Sequence, residues 1–151
     1  MIRRITAAET RPLRRRVLRP GQRFEKTLYP GDEAPATAHL GAFAGARLVG
    51  IASLYAEPRP GTDPPGRTWR LRGMATAPEA RGQGHGRDLL AACVAHVGAS
   101  GGGELWCNAR IPAVGFYRTA GFEVESDEFE VDGIGPHVVM RRDVASADRS
   151  V

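Results

Sequence analysis

The residues with the clearest chemical use lie in one short segment, Arg81-Gly82-Gln83-Gly84-His85-Gly86-Arg87. Glycines at alternate positions let the backbone turn tightly and leave its amide N–H groups uncovered by side chains. An amphipathic helical pattern follows directly. Amides that open a helix point together at one spot, with the positive end of the helix dipole behind them. Such a place binds phosphate, and Arg81 and Arg87 add charge. The spacing is neither G-x-G-x-x-G nor G-x-x-x-x-G-K-[ST], so two well-known phosphate loops are excluded. A glycine-rich turn before a helix is also ordinary structural punctuation, and the segment by itself leaves both readings open.

The elements that must position this loop follow from periodicity and turn signals. Ile2 to Ile5 reads as an opening strand. Thr6 with Glu9 has capping-box spacing, and Thr10 before Pro12 is an equally good helix start. The short helix that follows carries Leu13, Val17 and Leu18 on one side, with Arg14, Arg15, Arg16 and Arg19 around the rest, read as a solvated face or a basic patch. Pro20-Gly21 stops it, and residues 21 to 37 read as a loop with a broken second helix. His39 to Phe43 and Leu48 to Tyr55 form a hairpin, and the proline-rich stretch Glu57 to Gly66 is a surface loop. Thr68 to Thr76 is a strand leading into the turn-rich segment at 78 to 86. Arg87 to Ala99 is a strong helix on the stripe Leu89, Leu90, Cys93, Val94 and Val97. Glu104 to Ala109 is a strand, Pro112 to Ala120 a short helix stopped by Gly121, and Val124 to Val131 with His137 to Arg142 a closing hairpin. The order predicts a mixed α/β fold with a mostly antiparallel sheet.

Composition narrows the class. The chain has 151 residues, of which 42% are apolar, enough for one core without disulfide staples. Its net charge of +4 suits an anionic ligand, whereas a surface for long nucleic acid is usually more basic. Cys93 and Cys107 fit no metal spacing and read as two reduced thiols, so neither a metal nor a bridge is expected. The first residues lack the apolar stretch of a signal peptide, and no apolar run approaches the ~20 residues of a membrane span. A cytoplasmic chain with no membrane or nucleic-acid partner is the expectation.

Arg81-x-x-Gly84-x-Gly86 resembles the R/Q-x-x-G-x-G/A loop of the GNAT acetyltransferases. Met74-Ala75-Thr76-Ala77-Pro78-Glu79 before it resembles that family's fourth strand, and Asp88-Leu89-Leu90 after it resembles the helix. Further on, Asn108, Ala113, Phe116-Tyr117 and Gly121-Phe122 are similar to the family's second signature. The resemblance is specific over 71 to 122. The ending Asp132-Gly133-Ile134-Gly135-Pro136-His137 is similar to that of a small bacterial branch, with Gly135 as an extra residue. The resemblance implies one GNAT-like domain over 1–144, a twisted sheet of about six to seven strands flanked by helices, and a flexible tail at 145–151. It implies acetyl-CoA as acyl donor. Met74, Thr76, Arg81, Gly82, Gln83, Gly84, His85, Gly86, Arg87, Asn108 and Tyr117 would contact it, with the pyrophosphate on the loop amides.

The implied reaction sets chemical demands. An alkylamine of pKa near ~10.4 costs about 4–5 kcal/mol to hold neutral at pH 7, so a base or a water chain must take its proton. Tyr117 is placed in the family pattern to protonate the leaving thiolate. Several relatives carry a Glu base where this chain has Arg72, and an Arg cannot serve as one. The base is then His137, His39 or Glu57, or ordered water; His137 and Tyr117 are taken as the catalytic pair. The period-2 rule puts Arg70, Arg72, Met74 and Thr76 on one strand face. With Arg110 and His39, Arg70 and Arg72 are read as binding a small, anionic amine substrate, the alternative being that they bind the protein's own acids. Acyl transfer by direct attack in a ternary complex is the leading reading, for a monomer or homodimer. A non-catalytic acyl-CoA-binding or sensing module is the other.

Overall fold

The computed structural model describes residues 1–64 and 66–147. The architecture is mixed α/β with a mostly antiparallel sheet, as expected, and has eight strands among the described residues rather than six or seven. The chain gathers into two units, Met1–Ala56 with Leu71–Cys93, and Glu57–Arg70 with Val94–Val151.

In the first unit, β1 (Ile2–Ile5), β2 (Ala38–Ala44) and β3 (Arg47–Ala56) run antiparallel, with Ile5 opposite His39 and His39 opposite Ser53. β4 (Thr68–Thr76) lies next to β3, and Ala77 N–H closes its end on the Val49 carbonyl at 2.7 Å. Ile5, Leu13, Phe43, Val49, Ile51 and Ala75 form the core here. α1 (Ala7–Leu13) starts at Thr6, whose hydroxyl accepts from Glu9 N–H while the Glu9 carboxylate accepts from Thr6 N–H. Thr10, the rival start, instead donates its buried hydroxyl to the Ala7 carbonyl. Past Leu13 the helix widens into a π turn over Arg14–Leu18, with Arg19 N–H reaching back five residues to the Arg14 carbonyl at 2.9 Å. The broken second helix is a single 3₁₀ turn, Phe24–Thr27.

Arg14 corrects the reading of Arg14 to Arg16 as a solvated face: it is 0% exposed. Thr10, Leu13 and Arg14 share the buried stripe of this helix at i, i+3 and i+4, so Arg14 points inward while Arg15 and Arg16 remain outside. Its guanidinium meets both oxygens of Asp32, at 2.7 and 3.1 Å, and also donates to the Thr27 carbonyl, Ser53 Oγ and Tyr55 Oη. Asp32 further accepts from the Tyr55 hydroxyl at 2.6 Å and from Tyr29 N–H at 3.0 Å. Burial alone would raise the Asp32 carboxyl, but the bonds from Arg14, Tyr55 and the Tyr29 amide outweigh it and hold the carboxyl below its usual range. The Tyr55 phenol is pushed upward by burial and by its bond to Asp32.

In the second unit, β5 (Gly103–Arg110) runs parallel to the start of β4, pairing Thr68–Arg70 with Glu104–Trp106. β8 (Gly135–Val144) is antiparallel to β5 along its length, from Gly103 opposite Val144 to Arg110 opposite His137. The expected strand from Val124 to Val131 is two short ones, β6 (Glu123–Val124) and β7 (Phe129–Val131), both on β8. Ser126 separates them, because its Oγ accepts the Val139 N–H that a continuing strand would have bonded. α3 (Val114–Thr119) follows a 3₁₀ turn at Ile111–Ala113. Glu104 accepts from Arg59 and Arg141 and so fastens the proline-rich loop to β5 and β8. Ala147 N–H bonds the Gly98 carbonyl, which ties down the first residues past 144; residues 148–151 of the expected tail lie outside the described residues. α2 (His85–Ala99) contributes its first part to one unit and its end to the other.

Both cysteines are buried free thiols, and burial pushes each up to about 12. No helix among the described residues is long and apolar enough to cross a membrane.

The Arg14–Asp32 pair predicts a signed pH dependence. A carboxyl depressed in the folded state stabilises above its unfolded pKa of about 3.9, and that stability is lost as pH falls through the lower folded value. At neutral pH, Asp32→Asn strands a buried guanidinium and is expected to cost about 3–5 kcal/mol. Denaturant melts at several pH values check this: the gap between wild type and variant should be full near pH 7 and narrow below about pH 4.

Candidate active site

The glycine loop grows out of β4 in the first unit. Ala80 N–H and Arg81 N–H close a 3₁₀ turn on the carbonyls of Ala77 and Pro78. Gly82 and Gly84 then take φ of 79° and 86°, a region that L side chains rarely enter. α2 begins at His85, two residues before the sequence pattern suggests. Asp88 N–H makes the first helical bond, to the Gly84 carbonyl at 3.0 Å. The amides of His85, Gly86 and Arg87 therefore have no acceptor inside the helix. Arg81, Gly82, Gln83 and Arg87 are exposed, while Gly84, His85 and Gly86 are half-buried. His85 Nε2 is buried without a hydrogen-bond partner among the described residues, a kind of vacancy that proteins seldom leave.

Charge around the loop is arranged to suit an anion. Glu79, two residues before Arg81, is engaged by Arg16 at 2.5 and 3.0 Å and by Arg47. The hydrogen bond from Arg16 is the main reason its carboxyl falls to about 2. Its negative charge is thus neutralised locally, and Arg81 and Arg87 flank the open amides, Arg87 with its Nε 3.8 Å from an Asp88 carboxylate oxygen.

Along β4, Trp69, Leu71 and Ala75 are buried and Arg70, Arg72, Met74 and Thr76 are half-buried, the alternation the sequence predicts. Arg72 places its guanidinium 4.1 Å from the Tyr29 ring centroid. His39 is 4% exposed, with Nδ1 on Ser53 Oγ at 2.7 Å and Nε2 on the Asp32 carbonyl at 3.0 Å. It is built into the Arg14 network. That network also contains Tyr29, Asp32, Ser53 and Tyr55, none of which sequence reasoning singled out. The available signal was polar residues inside otherwise apolar strands, Ser53 and Tyr55 two apart on one face of β3 with His39 opposite.

In the second unit, Asn108 is half-buried near the end of β5 and Arg110 is exposed at its last position. Tyr117 on α3 is 9% exposed, its ring edge-on to Phe116 at 5.2 Å and Phe122 at 5.5 Å. Phe122 N–H returns to the Tyr117 carbonyl through the turn at Gly121, fixing the helix end beside that ring. Arg110 and His137 are direct cross-strand partners, so their side chains share one face. His137 is 6% exposed and stacks on Phe129. Its Nδ1 lies 2.8 Å from the Gly135 carbonyl. A carbonyl only accepts, so Nδ1 carries the proton and the neutral ring keeps its lone pair on Nε2. Arg70 is already engaged, by Glu57 at 3.0 Å and by the Trp106 ring at 5.1 Å.

Comparison with known proteins agrees with this fold. Residues 16–144 match the family model described as an acetyltransferase (GNAT) domain. The chain is 35% identical to the uncharacterised N-acetyltransferase YitI of Bacillus subtilis, covering 92% of this chain and 93% of that one. Among solved structures, Escherichia coli ElaA superposes with a TM-score of 0.75 at 17% identity, covering 94% of this chain and 98% of that one. The ribosomal-protein-S18-alanine N-acetyltransferase of E. coli superposes with a TM-score of 0.76 at 15% identity, covering 100% and 97%. The chain belongs to the GNAT acetyltransferase family. It is an acetyl-CoA-dependent N-acetyltransferase.

The His137 geometry is directly checkable. Long-range proton–nitrogen NMR on the neutral ring should show the Nδ1–H tautomer; an Nε2–H tautomer would contradict the bond to Gly135.

Proposed function

We propose that this enzyme acetylates the primary amine of a small, anionic molecule by direct attack in a ternary complex with acetyl-CoA. The observation that carries the donor half is the set of open amides at the head of α2, behind glycines in left-handed conformations. Pyrophosphate oxygens would satisfy those amides, with Arg81 and Arg87 adding charge. Met74 and Thr76 on β4, Gly82 and Gln83 in the loop, and Asn108 on β5 are assigned to the donor through the family signatures they match.

In the transfer step the amine nitrogen bonds to the thioester carbon as the carbon–sulfur bond breaks. One proton leaves the amine and one must reach the sulfur. His137 is assigned the first, because its Nε2 holds the lone pair when Nδ1 is committed to Gly135. Tyr117 is assigned the second, as a phenol held by two aromatic neighbours on the helix after β5. Arg72 and Arg110 are assigned to the acceptor. His39 supports the acceptor side through the Arg14 network rather than by contact, since both ring nitrogens have internal partners.

Two substitutions test these assignments. Gly84 is a poor probe, because its φ of 86° strains any side chain and a Cβ would lie 2.9 Å from Arg87 Nη2. Gly86 lies in the first turn of α2 and is not among the glycines with a left-handed φ. Gly86→Val should keep the fold and reduce CoA affinity by about tenfold or more in calorimetry. Unchanged affinity in a folded variant removes the pyrophosphate assignment.

Tyr117→Phe keeps the ring and deletes the proton donor. With acyl transfer limiting, kcat should fall by about 10²-fold while CoA affinity stays near wild type. An unaltered kcat makes Tyr117 a packing residue.

A further inference from the structure

We infer that Gly135 and Phe129 are positioning residues for His137: the first fixes the ring's proton on Nδ1, the second fixes the ring's plane, and together they present the Nε2 lone pair to the acceptor. The inference rests on the proposed transfer step for what that lone pair does, and it gives roles to two residues that the transfer step leaves without one.

The parts all belong to the second unit and meet in one row across three strands. Arg110 on β5 lies directly opposite His137 on β8, and His137 lies directly opposite Phe129 on β7. Residues paired this way share a sheet face, with Cβ atoms roughly 4.5–5.5 Å apart. The Phe129 and His137 ring centroids are 6.0 Å apart at an interplanar angle of 29°, a stacked arrangement. His137 is 6% exposed, so its ring has little room to swing. Its Nε2 has no hydrogen-bond partner among the described residues and, unlike Nε2 of His85, is not a buried atom. His39, by contrast, commits both ring nitrogens to internal partners.

Local backbone geometry sets the tautomer. In a regular strand the side chains stand off the sheet while the carbonyls lie along it, so a ring does not ordinarily meet the carbonyl two residues back. Here it does, at 2.8 Å. β8 opens at Gly135 with φ 120°, a conformation that an L residue enters only with strain. Pro136 follows, and its ring fixes φ at about −65° and restricts the residue before it. The two together turn the Gly135 carbonyl toward the His137 side chain and leave the link little freedom to relax. A Cβ at Gly135 would meet nothing within 4 Å. Glycine is needed there for its backbone, not for space.

Neither contact has to rearrange when Nε2 takes the amine's proton. Nδ1–H already points at the Gly135 carbonyl, and the cation that forms keeps an aromatic face beside it. Arg110 is the like charge opposite, and it is exposed, where solvent screens it. Geometry prepared before the transfer is the ordinary way in which residues that never touch the substrate raise turnover.

The test uses the full chain with nitrogen-labelled histidine and the variants Gly135→Ala, Phe129→Leu, Phe129→Tyr and His137→Gln. Long-range proton–nitrogen NMR reads the tautomer of His137. Thiol release reads kcat and KM with acetyl-CoA and either butylamine or 4-aminobutyrate as acceptor. Wild type and Phe129→Leu should both hold Nδ1–H, and Gly135→Ala should gain a clear Nε2–H population. With acyl transfer limiting, His137→Gln should lower kcat about 10²-fold and Gly135→Ala and Phe129→Leu roughly tenfold each, with the acetyl-CoA KM within about twofold of wild type. Phe129→Tyr keeps the aromatic face and should recover most of what Phe129→Leu loses. A Gly135→Ala enzyme that retains the Nδ1–H tautomer, or a Phe129→Leu enzyme as fast as wild type, overturns the inference and leaves His137 as the base. Full turnover in His137→Gln instead removes the base assignment, and the role of Gly135 and Phe129 in transfer goes with it. If neither amine is acetylated, the tautomer decides: Nε2–H appearing in Gly135→Ala supports the positioning role, and an unchanged Nδ1–H overturns it.

Discussion

The amides at the head of α2 are the constraint on which the functional account depends. A helix leaves its first N–H groups without internal acceptors, and they must find partners elsewhere. Most helices supply one from a capping Ser, Thr, Asp or Asn, as α1 does with Thr6. α2 is preceded by Gly84, which has no side chain to offer. The left-handed backbone at Gly82 and Gly84 carries the chain out of β4 and into the helix with no Cβ over those amides. Arg16 and Arg47 hold the Glu79 carboxylate just upstream. The local structure is therefore arranged for an anion at the point where an ordinary cap would sit, which is what an enzyme using acyl-CoA requires.

A second constraint acts in the same unit. Burying a guanidinium completely is tolerated only when its charge is paired and its donors are met. Arg14 meets this condition with Asp32, Ser53, Tyr55 and the Thr27 carbonyl, drawing residues from the π turn after α1, the 27–32 segment and β3 into one cluster. Replacing that cluster by apolar residues could be neutral or better for stability. What the charged cluster does in place is orient the Tyr29 ring: Asp32 accepts the Tyr29 amide and Arg14 lies 4.0 Å from the ring centroid. Cation–π contacts are individually modest, and the Tyr29 ring makes them with Arg14 and Arg72.

Elements governed by local rules were legible in the sequence. The capping box at Thr6, the stripe on α2, the alternation along β4 and the glycine loop each depend on neighbours within a few residues. The failures have physical causes. Arg14 was misplaced because three consecutive arginines resemble a solvated face, and only the long-range partner Asp32 makes one of them an inward residue. The π turn is invisible to a 3.6-residue period. The strand expected at Val124 to Val131 is divided by a side chain, Ser126, that takes the place of a backbone acceptor. For the site, Tyr117 and His137 were marked by motif and residue type. The Nδ1 bond that decides the tautomer of His137, and the stacking of Phe129 on its ring, required coordinates.

The most direct test of the central claim is amide chemical-shift mapping on the nitrogen-labelled enzyme titrated with CoA and, separately, with pantetheine, which lacks the pyrophosphate. CoA should produce its largest shifts at the amides of His85, Gly86 and Arg87, and pantetheine should leave those amides near their free positions. Tight binding of CoA with these three amides unmoved would contradict the account.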